Sequence, residues 1–230
     1  MQDRLFWLHV KKSAGQSTHN VLAPLYREVD RSAQLANFIQ SPVEDYNDLL
    51  NTYLMPLGPY QMRRTLFAKK FLYPNDFERY FKFAFVREPV DRCLSQFFYL
   101  LDKEPGLRPR LRGVSYRFDL FLDTVAAARA SPSFRRPHSL HFQTHTAAMW
   151  DDVVDDDGHV LLDAIYRLED FGPAIASVRE RFGLSTDAPQ RARRNTTDRK
   201  VFEPTKAQMA KIEALFPKDF DLYESYASAP

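Results

Sequence analysis

The chain has 230 residues, enough for one domain with elaborated loops, and its 44% hydrophobic and 14% aromatic content supports a core and excludes a disordered chain. No apolar run reaches the roughly 18 residues of a membrane span, and a net charge of only +2 excludes a surface that grips nucleic acid throughout. The single cysteine, Cys93, allows no intrachain disulfide or multi-cysteine metal cluster, and the spacing of the seven glycines rules out G-x-G-x-x-G, as the absence of Gly-Lys-Ser/Thr rules out a Walker A loop.

Leu5–Val10 reads as a short buried strand, and residues 1–10 lack the long apolar core of a signal peptide. A polar stretch, residues 11–18, follows, then Val21, Leu22, Leu25 and Val29 at helical spacing, with Ser17 or Thr18 able to cap the helix. Between residues 30 and 78, Pro42, Pro56, Pro59 and Pro74 punctuate short helical patterns such as Tyr46–Leu54. Tyr80–Val86 (YFKFAFV) is the strongest strand, nearly continuously apolar as a central parallel strand should be. Arg87-Glu88-Pro89 ends it, and Val90, Leu94, Phe97, Phe98 and Leu101 mark a helix. Residues 102–117 read as a basic mobile loop, and Phe118–Ala130 as a helix. The aspartates of 151–157 before Gly158 suggest a solvated turn. Val160–Leu168 is a third strand candidate; Pro173–Phe182, Thr205–Phe216 and a docked tail over Asp219–Tyr226 complete the helices. Strands alternating with helices argue an α/β fold with a parallel sheet, whose ligands sit at the carboxyl ends of strands. The loops after Val10 and Val86 both lie there.

The first loop combines backbone N–H groups at a helix start with Lys11, Lys12, Ser13, Ser17 and Thr18, and Gly15 allows close approach, which suits a phosphate or reads as a solvated turn. The second offers Arg87 and, eight residues on, Ser95: a fork and a hydroxyl for another phosphate, unless Arg87 pairs with Glu88 or Asp91.

His9-Val10-Lys11-Lys12-Ser13-Ala14-Gly15-Gln16-Ser17-Thr18 resembles the H-I-P-K-T-(A/G)-G-T-S signature of glycan-type sulfotransferases. Phe83–Ser95 resembles their second signature, F-x-F-V-R-(D/N)-P-x-(D/E)-R-x-x-S. Weaker similarity continues through Asp163–Phe171, Arg194–Thr197 and Asp219–Tyr223. The resemblance implies a single domain of P-loop-like fold, a three-layer parallel sheet flanked by helices. It implies a sulfotransferase that moves a sulfuryl group from 3′-phosphoadenosine 5′-phosphosulfate (PAPS) to a hydroxyl or amine, with no metal. On that carry-over Lys12, Ser13, Ala14, Gly15, Gln16, Ser17 and Thr18 hold the 5′-phosphosulfate. Arg87 and Ser95 hold the 3′-phosphate, Arg194 and Asn195 close over the donor, and Lys12 is the catalytic lysine. Lys11 replaces the family's usual proline, making the loop less stiff and adding a charge; Gln16 replaces a threonine.

Many relatives place a base histidine between the two signatures, but residues 20–137 contain none. His138, His141 and His145 fall at i, i+3 and i+7, on one face if the segment is helical, and His141 or His138 is the preferred base. Glu44, Asp45, Glu88 and Lys69 are weaker candidates. His145, Arg135 and Arg136 are expected to meet the acceptor, unless the basic residues form a solvated face; sugar, polyketide, peptide and phenol acceptors all stay open, with an acidic glycan favoured by the resemblance and the basic segments. Cys93 and the aromatic run at 97–99 are expected in the core. The competing functions are a nucleotide-kinase-like phosphoryl transferase and an inactive nucleotide- or glycan-binding module. The lone cysteine and absent anchor point to a soluble, cytoplasmic, bacterial member.

Overall fold

The computed structural model describes residues 4–22, 57–103, 113–130, 137–183 and 202–226. A three-stranded parallel sheet in the order β1-β2-β3 lies at its centre, formed by β1 (Arg4–Leu8), β2 (Tyr80–Val86) and β3 (Ala164–Arg167). β2 is in the middle and every one of its residues is buried, which is why it carries almost no polar side chain. Its one exception, Lys82, hydrogen-bonds the Tyr80 carbonyl at 2.9 Å and pairs with Asp163 at 3.0 Å, at the entrance to β3.

The two-residue period of the strands divides the core. Phe6, Leu8, Tyr80, Ala84, Val86 and Ile165 face one side. They are covered by α2 (Arg64–Phe67), the π turn Ala68–Leu72 that continues it, α6 (Met149–Val153) and the C-terminal π turn Leu222–Tyr226. Leu5, Trp7, Phe81, Phe83, Phe85 and Tyr166 face the other, under α1 (Gly15–Leu22) and α7 (Phe171–Arg181). A third cluster lies beside the sheet. It joins α3 (Pro89–Lys103), α4 (Val114–Ala130), α5 (Pro137–Thr146) and α8 (Lys206–Leu215) around Phe97, Phe118, Phe121, Leu122 and Ile212. The expected α/β sandwich is therefore present. No described helix is long and apolar enough to cross a membrane.

Local chemistry accounts for the boundaries. Thr205 caps α8 in a reciprocal box with Gln208. Gly183 ends α7 with φ +68°, and α9 (Pro217–Asp221) starts on a proline.

Several expectations change. α1 begins at Gly15, so Thr18 lies inside the helix, where its hydroxyl donates to the Ala14 carbonyl instead of capping. α4 begins at Val114, which takes Arg117 out of the expected loop. The third strand is shorter than Val160–Leu168, because Val160 forms an antiparallel bridge with Val154. The aspartate run splits. Asp155 closes a turn by accepting from the Asp157 and His159 N–H groups, whereas Asp152 is buried on α6 and is not solvated. The Tyr46–Leu54 pattern lies outside the described residues.

Candidate functional site

The loop between β1 and α1 takes a strained path at the carboxyl edge of the sheet. Lys12 (φ 68°) and Ala14 (φ 59°) are both left-handed, at a cost of order 1–3 kcal/mol each. Alternation of that kind turns successive N–H groups toward one side and makes an anion-binding concavity, here at a helix N-terminus. Gly15 serves a second purpose the sequence does not show. The His9 imidazole, stacked on Trp7 at 5.4 Å, lies where a Cβ on residue 15 would stand. The Ser13 hydroxyl is buried and has no hydrogen-bond partner among the described residues. A buried orphan of this kind in a strained anion cradle fits a bound oxyanion.

Arginines hold this path. Arg64 donates to the His9 carbonyl at 3.1 Å, Arg92 to that of Lys11 at 3.1 Å, and Arg87 to that of Lys12 at 3.4 Å. Drawing the carbonyls outward leaves the N–H side of the loop for a ligand. The first two arginines are buried and each has a buried acid. Arg64 forks onto Asp152 with contacts of 2.9 and 2.5 Å, and Arg92 lies 3.5 Å from Asp219 and also donates to the Ala147 carbonyl. Asp219 further accepts from the N–H groups of Met149 and Trp150, tying the C-terminal helix to the start of α6. Burial pushes its carboxyl up, against the pull of Arg92 and those two donors.

Lys11 is buried in this frame. Desolvation, then the nearby Arg64, lowers its ammonium to about 7, with Asp152 pulling the other way. The extra charge expected from this lysine is therefore reduced by about half near neutrality, and the arginine contacts do what a proline would do for stiffness. The sign of the pH dependence follows. In the unfolded chain the lysine stays protonated to about 10.5, so between pH 7 and that value the unfolded state binds the extra proton and stability rises with pH. Above 9 the opposite contribution of Cys93 begins, because burial raises its thiol to about 12. The urea midpoint is expected to rise between pH 7 and 9, and Lys11→Met to flatten that rise.

Tyr99 is partly buried against the same core cluster as Phe97 and also reaches the loop: the Lys12 ammonium sits 4.2 Å from its ring centroid, and the His145 ring stacks on it at 4.8 Å. Its hydroxyl makes a long contact, 3.5 Å, with Nε2 of His141. The segment bearing the histidines is helical, the condition for their sharing a face, and the His141 and His145 rings stand 4.4 Å apart. His145 is buried, its Nδ1 donates to the His141 carbonyl, and its pKa is lowered to about 3, first by burial and then by Lys11, His141 and Lys12. It is a neutral imidazole across the physiological range. His141 is half-buried. His138 belongs to the same helix, but its side chain is not among those described.

In the second loop, Arg87 pairs with Asp91, at 2.6 Å from Nε and 2.5 Å from Nη2. The other partner considered, Glu88, instead caps α3 by accepting from the Val90 and Asp91 N–H groups. Ser95 is half-buried two turns into α3, and Lys69 pairs with Glu78. Gln16 is exposed, hydrogen-bonded to Asn20, and Ser17 half-buried. Arg135, Arg136, Arg194, Asn195, Glu44 and Asp45 lie outside the described residues. Arg92, Ser95 and Tyr99 occupy positions i, i+3 and i+7 of α3, a signal that could have found two missed residues. Arg64 and Asp152 are 88 residues apart and carry no such signal.

Comparison with known proteins adds a family. No curated protein and no solved structure matches the chain. Residues 1–227, nearly the whole length and both loops, match the sulfotransferase family. With its parallel sheet and its oxyanion-suited loop after the first strand, the chain belongs to that family.

Proposed function

We propose that the protein transfers the sulfuryl group of PAPS to a hydroxyl or amine of an acceptor, a carbohydrate of acidic character. The observation that carries this reading is the β1–α1 loop of a sulfotransferase-family chain, with left-handed Lys12 and Ala14, a buried orphan hydroxyl on Ser13 and a lysine side chain beside it. The 5′-phosphosulfate binds at residues 12–18. Arg87 and Ser95 receive the 3′-phosphate, with Asp91 orienting the guanidinium, and Arg194 and Asn195 close over the donor. Arg135, Arg136 and His145 contribute to the acceptor side.

In the reaction the acceptor oxygen bonds to sulfur as the bond from sulfur to the bridging phosphate oxygen breaks. Negative charge grows on the leaving phosphate, and the Lys12 ammonium stabilises it as it develops. The acceptor proton passes to a base. His141 is the favoured one: it is half-buried and lies beside Tyr99, whereas His145 is a poor acceptor at neutral pH.

Titration calorimetry tests the reading. The product 3′-phosphoadenosine 5′-phosphate (PAP) is expected to bind far more tightly than ADP or AMP, without magnesium. Arg87→Ala should remove the preference for a 3′-phosphate. Equal affinities of the wild-type protein for all three nucleotides would sink the sulfotransferase donor assignment.

A further inference from the structure

Tyr99 belongs to neither sequence signature, yet it touches both groups assigned above to the chemistry. Its ring face carries the Lys12 ammonium at 4.2 Å, and its hydroxyl lies 3.5 Å from Nε2 of His141. The ring cannot easily tilt away, because His145 stacks on it nearly parallel, at 22°, and His145 is itself anchored by its Nδ1 bond to the His141 carbonyl. Tyr99 stands on α3, the helix whose Arg92 holds the Lys11 carbonyl, so loop and ring share one support, and the histidines meet the ring from α5. A four-carbon lysine stem has many rotamers, and an aromatic face at cation–π distance selects among them.

We propose that Tyr99 is a positioning residue of this site, its ring fixing the Lys12 ammonium and its hydroxyl orienting the His141 imidazole. The proposal rests on the roles assigned to Lys12 and His141, but its two contacts can be measured without turnover. The ring holds the ammonium by its quadrupole without itself carrying a charge.

The test compares Tyr99→Phe with Tyr99→Leu in the full-length protein. In NMR spectra the Lys12 ε-methylene protons should show an upfield ring-current shift. That shift should persist in Tyr99→Phe and vanish in Tyr99→Leu, while the His141 imidazole signals move in both. Loss of the shift in Tyr99→Leu with its retention in Tyr99→Phe separates a specific contact from general loosening. In transfer assays, Tyr99→Leu should lower kcat by about tenfold with the donor KM within about twofold, consistent with the strength of a partly desolvated cation–ring contact. Tyr99→Phe should recover most of that loss. The proposal is overturned if the Lys12 and His141 signals are unchanged in both variants, or if Tyr99→Leu turns over like wild type. Failure of the donor reading looks different: PAP shows no preference over ADP in the wild type, whatever the Tyr99 spectra show.

Discussion

Lys12→Ala is expected to lower turnover by a factor on the order of 10²–10³, the usual consequence of removing one preorganised charge from a developing oxyanion. PAP binding should survive in part, because backbone N–H groups and the Ser13 hydroxyl remain. The left-handed backbone at Lys12 provides a control. Alanine there keeps the strain and glycine relieves it, so Lys12→Gly should be more stable than Lys12→Ala by about 1 kcal/mol. Both should be equally slow. Rates that follow stability would mean the side chain matters through folding; wild-type turnover in either variant would remove Lys12 from the mechanism.

Breaking the Arg92–Asp219 pair should have a large effect on stability. Arg92→Ala leaves a buried carboxylate facing only N–H donors, and Asp219→Ala leaves a buried guanidinium, with expected losses of about 3–5 kcal/mol in urea denaturation. A loss of that size is a large fraction of a domain's total stability. Replacing both partners separates the structural role from the functional one. Arg92→Met with Asp219→Asn keeps the volume and an oxygen for the Met149 and Trp150 N–H groups, so much of the stability should return. PAP affinity should not return with it, because the Lys11 carbonyl still lacks its donor and the left-handed loop loses a constraint. Recovery of both together would show that Arg92 does not shape the loop.

The sheet and its order of use were legible because their causes are local. A strand buried on both faces must be apolar at nearly every position, and Tyr80–Val86 is. A histidine pair at i, i+4 must share a helical face, and His141 and His145 do. Boundaries were less legible where side chains could serve two purposes. Thr18 has a capping side chain but donates within its helix, and Val160 has strand character but pairs with Val154. The acidic run reads as solvated by composition, yet Asp152 is buried because Arg64 lies opposite it.

By itself, the sequence determined the chemistry on offer: a lysine-and-hydroxyl loop after a first strand, an arginine and a serine after a second, and no glycine-rich alternative. These follow from residue type and short spacing. The tertiary structure alone decided which groups meet. It brought Arg64 and Arg92 to the loop carbonyls from 55 and 81 residues away, and brought Tyr99 to Lys12 and the histidines. It also pulled Lys11 toward neutrality and kept His145 neutral. The physical reason is the same in each case. Desolvation and charge pairing depend on what surrounds a group in space, and that neighbourhood is assembled only when distant segments pack.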